Sequence, residues 1–256
     1  MQVSNSLPTV LVLTPVKDAV PHLDTHLAAL DRLDWPRQRL ALGYLDSDSL
    51  DGTHERLATL RPRLERRAAR VVIARRDFGF RIPAGLPRWT PAFQLARRAV
   101  LARARNHLLF AALADETWVL WLDVDIVDFP PDTLHRLLAT GGDIVQPNCV
   151  LEPGGETFDR NAWSEGGNKT LHDFAGQSLV RLESVGGSML LVRADLHRDG
   201  LVFPSFRYGL RSAAVRDPHP LWGLGEIETE GLAIMARDMG VQCWGVPDLE
   251  IIHARS

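Results

Sequence analysis

The sequence predicts an α/β fold in which a mostly parallel, doubly wound (Rossmann-like) central sheet is flanked by helices within a single domain. Short apolar runs alternate with amphipathic stretches from residue 9 to residue 122, which is the order of elements in a parallel sheet. Polar and acidic residues directly follow several of these runs, at the strand ends where open α/β sheets bind ligands. At 256 residues, the chain is long enough for one large domain with a substantial core.

The first part of the chain has the periodicity of alternating strands and helices. The predicted elements, in chain order, are a strand at 9–13, a helix at 21–33, a strand at 40–45, a helix at 53–67 and a strand at 70–74. Residues 75–91 are then irregular and rich in Pro, Gly and Arg. A loop of this length inside a compact domain is more often functional than idle.

The second part starts with a strong helix at 92–113, followed by an apolar run at 118–122 that predicts a strand buried on both faces. The later predicted elements are a helix at 132–139, strands at 143–147, 178–183 and 188–193, a helix at 227–239, and strands at 241–245 and 249–253. Irregular segments at 148–177 and 203–225 separate some of them.

Composition and charge exclude several classes of protein. The net charge of −3 gives no general attraction to nucleic acid. Cys149 and Cys243 are too few for a disulfide framework, which favours a reducing compartment. The start, MQVSNSLPTVLVLTP, has no basic region and only a short apolar run, so it predicts a first strand and no signal peptide or transmembrane anchor. We therefore expect a cytoplasmic protein, with peripheral contact to a membrane left open.

The buried run at 118–122 ends abruptly in Asp123-Val124-Asp125. If the chain stays extended there, both carboxylates lie on one side and can bind one cation. Hard oxygen ligands suit Mn²⁺ or Mg²⁺, and an imidazole such as His253, after the last apolar run, would favour Mn²⁺. The alternative is a pair of solvated strand-end carboxylates, because short acidic pairs are frequent.

Polar loops at 14–18 and 46–51 follow the first two strands and could hydrogen-bond a nucleoside, although Asx turns also explain them. No glycine-rich phosphate-binding motif is present, so a metal ion and arginines would have to neutralise the negative charge of a bound phosphate. On the 92–113 helix, Arg98 and Arg105 flank the apolar stripe and are candidate phosphate ligands. Arg103 points away from that stripe and is kept as a candidate catalytic residue.

Glu228 and Glu230 open the helix at 227–239. The helix dipole alone explains acidic residues in a first turn. Their position after a long loop also makes them candidate catalytic residues that would position a sugar at the reacting centre.

Several longer stretches, in the same order, make the chain resemble the fungal mannan-polymerase α-mannosyltransferases, glycosyltransferase family 62. The stretches are LTPVKD at 13–18, SDS at 47–49, ARARN at 102–106, WVLWLDVDIVDFPP at 118–131, IVQPNCV at 144–150, VGGSMLLVRADLHRDGLVFPSF at 185–206 and ETEGLAIMARDMG at 228–240. Blocks of this length are far more specific than a D-x-D pair. The loop at 211–221 looks particular to this chain.

The resemblance implies a GT-A fold, a GDP-mannose donor and transfer with retention of the α-configuration. It also implies Mn²⁺ held by Asp123 and Asp125 with His253 as the third ligand. By the same resemblance, a nucleotide pocket would be lined by Thr14, Pro15, Asp18 and Asp48. Members of the family are Golgi proteins with an N-terminal membrane anchor, which the start of this sequence does not predict.

We therefore expect a nucleotide-binding half at about 1–125 and an acceptor-binding half at about 126–256. The expected reaction transfers a hexose, most plausibly mannose from GDP-mannose, to a hydroxyl of a glycan or glycolipid. The alternatives are a transferase that uses another nucleotide sugar, a nucleotidyltransferase, and a non-catalytic subunit that binds the nucleotide sugar. A phosphatase with Asp123 as nucleophile fits poorly, because that chemistry commonly follows the pair with Thr or Gly and this chain has Ile126-Val127.

Overall fold

A computed structural model describes residues 7–83, 85–87, 90–209 and 225–255. The predicted loop at 211–221 and most of the segment at 203–225 lie outside the described residues. The strands are β1 (Val10–Val16), β2 (Leu40–Asp46), β3 (Arg70–Arg75), β4 (Trp118–Leu122), β5 (Ile126–Asp128), β6 (Ile144–Val150), β7 (Trp163–Ser164), β8 (Lys169–Thr170), β9 (Val180–Leu182), β10 (Met189–Arg193) and β11 (Cys243–His253). The helices are α1 (Val20–Arg32), α2 (Thr53–Arg67), α3 (Pro91–Ala112), α4 (Thr133–Ala139), α5 (Ala194–Arg198) and α6 (Glu228–Asp238).

Nine strands of the described chain form one sheet in the order β3-β2-β1-β4-β10-β6-β11-β5, with β9 also paired to β11. The pairs β3-β2, β2-β1, β1-β4 and β6-β11 are parallel, while β10, β5 and β9 run the other way. The predicted α/β class with a mostly parallel sheet is therefore confirmed. The antiparallel β10 lies between β4 and β6, so its first residue meets the last residue of β4.

Helices cover both faces of the sheet, and each face has its own apolar cluster. Side chains along a strand point alternately to the two faces, so Val10 and Val12 of β1 pack in one cluster while Leu11 and Leu13 pack in the other. Helices α1, α2 and α4 contribute leucines to the first cluster, and α3, α5 and α6 contribute apolar residues to the second. This is the doubly wound arrangement that the sequence predicts.

Two predictions about the strands were wrong. The chain is not extended at Asp123 and Asp125: it turns directly after β4, and the Ile126 N–H donates to the Asp123 carbonyl at 3.2 Å. The two predicted C-terminal strands are one strand, β11, whose pairing to β6 shifts register between Val246 and Glu250. Pro247 lies at that shift, where the ladder can do without its missing N–H.

Two buried histidines sit beneath the sheet faces. The His26 Nε2 lies 3.1 Å from the Tyr44 hydroxyl, and the Trp121 Nε1–H donates to the His197 Nε2 at 3.2 Å. The second ring nitrogen of His197 lies 2.7 Å from the Leu201 carbonyl, which fixes its tautomer as a donor there. Burial lowers the pKa of His26 and of His197 to about 4, so both rings are neutral in the folded chain at pH 7.

We predict that the buried rings of His26 and His197 each destabilise the folded chain increasingly as the pH falls from about 6.5 towards 4. In this window an unfolded histidine, with a pKa near ~6.5, binds a proton that the folded histidine does not, so unfolding is favoured by up to about 1.4 kcal/mol per pH unit for each group. Urea unfolding of the wild type and of His26→Gln at pH 4.5, 5.5 and 6.5 would measure this. The variant should lose part of the slope because Gln does not titrate.

His107→Gln is the matched control, because His107 lies exposed on α3. Its stability should follow the wild type across the pH series. Equal slopes for wild type and His26→Gln would show that burial of His26 does not cause the acid sensitivity.

Candidate active site

A cavity of about 530 Å³, here the first cavity, opens at the carboxyl end of β4. Four chain segments converge there because β4 and β11 end at this edge, β10 begins there, and α6 begins beside it. The charged and polar lining residues are Gln94, Arg97, Arg98, Arg105, Asp123, Asp125, Asp159, Arg160, Asn161, Ser188, Glu228 and His253. The Asp123 and Asp125 turn is anchored on both sides, since Asp123 N–H donates to the Ser188 carbonyl at 2.9 Å and Ala254 N–H to the Asp125 carbonyl at 2.8 Å.

Arg105 is the central cation of the first cavity, and its side chain is 3% exposed. Its Nη2 donates to Asp123 Oδ1 at 3.0 Å and its Nε to Glu228 Oε1 at 3.1 Å. The guanidinium also lies 5.7 Å from the ring centre of Trp121 and 5.3 Å from that of Phe203. Ion pairs and ring faces therefore hold this side chain from several directions.

The carboxyl of Asp123 has a raised pKa. Burial is the largest cause, and the nearby carboxylates of Asp125, Asp159 and Glu228 add to it, while Arg105 opposes them. Such crowding of carboxylates disfavours a second negative charge unless a cation is close. The adjacent Arg105 therefore supplies the positive charge that stabilises the ionised form of Asp123.

His253 lies against the other carboxylate of the turn. Its Nε2 is 3.1 Å from Asp125 Oδ2 and its Nδ1 is 2.6 Å from the Ala254 carbonyl. The Phe158 ring packs on the imidazole with the ring centres 4.3 Å apart. Burial lowers the pKa of His253, but the hydrogen bond and charge of Asp125 outweigh it, so the pKa is raised overall.

The three predicted metal ligands lie together, yet each carboxylate already has a protein partner, Arg105 for Asp123 and His253 for Asp125. Across the described ranges, no group of three His, Cys, Asp or Glu side chains is arranged to hold a metal ion. The donor set of two carboxylates and one imidazole nevertheless fits Mn²⁺, or Mg²⁺ with more oxygen ligands. The residue types therefore suit the predicted ion, and all three side chains could hold it only after His253 Nε2 and Asp125 Oδ2, now 3.1 Å apart, separate.

A second cavity of about 420 Å³ adjoins the first and shares Arg97 and Leu101 with it. It lies at the carboxyl ends of β1 and β2, and its lining includes Pro15, Asp18 and Asp48, which the resemblance assigns to a nucleotide pocket. The other lining residues are Val16, Lys17, Ser47, Leu50, Phe80, Arg81, Ile82, Val100 and Ala104. The fully buried Thr14 is not among them.

Asp48 lines the second cavity and holds a neighbouring loop in place. Its two carboxylate oxygens accept the N–H groups of Phe78 at 3.0 Å and Gly79 at 2.8 Å, which fixes the loop after β3. Asp18 similarly accepts the N–H of Leu50 at 2.7 Å. Both residues adopt a left-handed backbone conformation, with φ of 58° and 48°, and such strain is commonly found at functional sites.

Helix α3 supplies three of the arginines that line the first cavity, Arg97, Arg98 and Arg105. Gln94, Arg98, Leu101 and Arg105 recur at helical spacing and all line it. Arg103 lies two positions beyond Leu101, which turns it about 200° around the helix to the exposed side, over the Phe78 ring at 5.7 Å. The prediction of Arg103 as a catalytic residue therefore finds no support in the geometry.

Glu230 is also set back from the first cavity. Arg98 Nη2 donates to Glu230 Oε2 at 2.6 Å and to the Ile227 carbonyl at 2.8 Å, so this pair locks α3 to the start of α6. Glu228, by contrast, lines the cavity. Of the two glutamates, geometry favours Glu228 for contact with a substrate.

Sequence reasoning missed Asp159 and the glycine pair Gly186-Gly187. A Cβ at Gly186 would collide with the carboxylate of Asp159, and one at Gly187 would collide with Nη2 of Arg105. These two glycines therefore make room for two charged side chains of the first cavity. The two adjacent glycines of the VGGS stretch could have indicated a close packing contact. Asp159 gave no such indication, because it lies in a segment without regular periodicity.

Solved structures with the same architecture are GT-A glycosyltransferases. Mannosyltransferase PcManGT from Pyrobaculum calidifontis, solved in complex with GDP-Man and Mn²⁺, matches with a TM-score of 0.57 and 19% identity over 98% of this chain and 58% of its own. S. aureus TarS in complex with UDP matches with a TM-score of 0.56 and 15% identity over 96% and 60%. At these identities the likeness shows the fold alone, and that fold is GT-A.

The chain belongs to the Anp1 family, whose pattern matches residues 2–175 and 170–207. The Mannan polymerase complex subunit mnn9 of Schizosaccharomyces pombe is 29% identical over 95% of this chain and 79% of its own length. The Mannan polymerase II complex ANP1 subunit of Saccharomyces cerevisiae is 26% identical over 95% and 54%. The resemblance to the mannan-polymerase family is thereby confirmed, and by family and fold the chain is of the glycosyltransferase class.

Among the helices of the described residues, none is both long enough and apolar enough to cross a membrane.

We predict that Arg105→Met lowers the free energy of unfolding by about 3 kcal/mol, because it leaves Asp123 and Glu228 without their shared cation. Arg103→Met is the matched control on the same helix and should cost less than about 1 kcal/mol, because that side chain is exposed. Urea unfolding of both variants at pH 7 measures the difference. Equal losses would contradict the central role of Arg105 in the fold.

Proposed function

We propose that the protein is a metal-dependent, retaining glycosyltransferase that moves a hexose, namely mannose from GDP-mannose, to a hydroxyl of a glycan or glycolipid. The observation that carries this proposal is the junction of the two cavities. The second cavity, at the ends of β1 and β2, has the size and lining for a nucleoside, and the first holds Asp123, Asp125 and His253. The GDP-Man and Mn²⁺ in the complex of the similar archaeal mannosyltransferase support the choice of donor and metal.

Asp123, Asp125 and His253 would hold the divalent ion, which would supply positive charge to stabilise the leaving nucleotide. Pro15, Asp18 and Asp48 would shape the nucleoside pocket. Asp48 would act by fixing the loop after β3, since its carboxylate accepts the N–H groups of Phe78 and Gly79.

Arg97 is placed for the diphosphate because it lines both cavities. In a retaining transfer the leaving phosphate can itself accept the proton of the attacking hydroxyl, so the mechanism needs no dedicated base. Water must be excluded to prevent hydrolysis of the donor.

A second candidate function is a non-catalytic subunit that binds the nucleotide sugar inside a complex. The names of the relatives favour it, since they are subunits of mannan polymerase complexes. We propose on the same ground that this chain assembles with partner chains. A turnover assay distinguishes the two functions, because a catalyst releases GDP and a glycosylated product, whereas a binding subunit releases neither. The cytoplasmic location and the division into two halves near residue 125 remain predictions.

We predict that GDP-mannose stabilises the wild type only in the presence of Mn²⁺ and that Asp125→Ala abolishes this stabilisation. A ligand at 100 times its Kd adds about 2.7 kcal/mol to a native state that binds it, which thermal unfolding detects easily. The panel should contain GDP, GDP-mannose, UDP and UDP-sugars, each with and without Mn²⁺.

Asp128→Ala is the matched control, because its carboxylate lies three residues further along and pairs with Arg32 at the surface. It should respond to Mn²⁺ and GDP-mannose as the wild type does. An unchanged response of Asp125→Ala would show that the metal assignment is wrong. A preference for UDP would overturn the donor, and release of pyrophosphate would indicate a nucleotidyltransferase.

A further inference from the structure

The segment between β6 and β7 brings a fourth carboxylate, Asp159, to the first cavity. We infer that Asp159 contacts the hexose of the bound nucleotide sugar and accepts hydrogen bonds from its hydroxyls. The inference rests on the proposed function and adds to it a residue that determines affinity for the sugar rather than for the nucleotide.

Asp159 is held in one orientation by its neighbours. Its Oδ2 accepts two hydrogen bonds from Ser188, at 3.1 Å from the backbone N–H and at 2.7 Å from the hydroxyl. The bare Cα of Gly186 allows the carboxylate to lie against the backbone, and the Gly186 N–H is itself fixed by Gln146 Oε1 at 2.7 Å. Two bonds and one close packing contact therefore preorganise the group.

The other oxygen of Asp159 retains capacity for a ligand. Among the described residues, its Oδ1 receives one long hydrogen bond, 3.4 Å from the Asn161 N–H. A carboxylate oxygen can accept about two hydrogen bonds. The bonds from Ser188 thus fix the carboxylate, while Oδ1 has room for a donor from the cavity.

The other carboxylates of the first cavity differ from Asp159 in their partners. Asp123 and Asp125 are assigned to the metal by the proposed function. Glu228 accepts Arg105 Nε on Oε1 at 3.1 Å and the Thr229 hydroxyl on Oε2 at 3.0 Å. Among the described residues, Asp159 is therefore the lining carboxylate that is neither assigned to the metal nor hydrogen-bonded to Arg105.

The order of the cavities places Asp159 where the hexose would lie. The second cavity meets the first at Arg97 and Leu101. At the opposite side, Phe158 and Arg160 border a third cavity of about 360 Å³, which shares no lining residue with the second. A nucleotide sugar with its base in the second cavity and its diphosphate at Asp123 and Asp125 would point its hexose towards Asp159.

The test is isothermal titration of GDP and of GDP-mannose, both with Mn²⁺, into the wild type, Asp159→Asn and a control. Asn keeps the shape of the side chain and removes the charged acceptor, so the ratio Kd(GDP)/Kd(GDP-mannose) should fall about tenfold. The affinity for GDP should change less than about threefold. Asp24→Asn serves as control, since that carboxylate pairs with Arg56 at the surface, and both affinities should match the wild type.

An equal loss of GDP and GDP-mannose affinity, or no loss of either, would overturn the inference while leaving the proposed function intact. A wild type that binds neither ligand would overturn the proposed function and this inference with it. If Asp159→Asn does not fold, Ser188→Ala, which removes one of the two bonds to Oδ2, should give the same selective loss at about threefold. A Ser188→Ala ratio equal to that of the wild type would then count against Asp159.

Discussion

The pairing of buried Arg105 with Asp123 and Glu228 is the interaction on which the site depends. A guanidinium at 3% exposure is stable only if its desolvation is offset by charges and hydrogen bonds. The neighbours of Arg105 meet that requirement. Two carboxylates lie at hydrogen-bond distance and two aromatic rings lie beside the guanidinium. Residue 187 is a glycine, and a Cβ there would collide with Arg105 Nη2. The buried His197 extends the same network, because it accepts the indole N–H of Trp121. The pair thus joins α3, β4 and α6 at one point.

Backbone strain is concentrated at the same two cavities. Four non-glycine residues within the described parts of the chain have φ between 48° and 58°, and three of them, Asp18, Asp48 and Glu228, line a cavity. Each left-handed residue costs of order 1–3 kcal/mol, and nearby hydrogen bonds must hold it there. For Glu228 these are the bond from Arg105 and the bond from its own N–H to the Pro204 carbonyl at 2.8 Å. Hydrogen bonds therefore hold these residues in backbone conformations that are unfavourable on their own.

The location of the site could be predicted from sequence, but its internal contacts could not. Asp123 and His253 were expected together because the carboxyl ends of parallel strands share one edge of a sheet. The turn at Asp123 was missed because β5, only three residues long at the sheet edge, gives no periodic signal. Asp159 was missed for a similar reason, since it lies in a loop and reaches the cavity only through its bonds to Ser188. Local pattern predicts where strands end, and tertiary contacts decide which loop side chains arrive there.

Arg97, Arg98 and Arg105 of α3 line the first cavity. The sequence had made Arg98 and Arg105 candidate phosphate ligands. Arg98 and Arg105 are committed to carboxylates, at 2.6 Å from Glu230 and 3.0 Å from Asp123. Removing either guanidinium from its carboxylates would leave buried negative charge uncompensated, so both side chains have a structural role in the folded chain. Arg97 lies one position before Arg98 and borders both cavities, so its side chain lies at the edge of α3 that faces their junction. The buried arginines of α3 therefore hold the carboxylates of the first cavity in place.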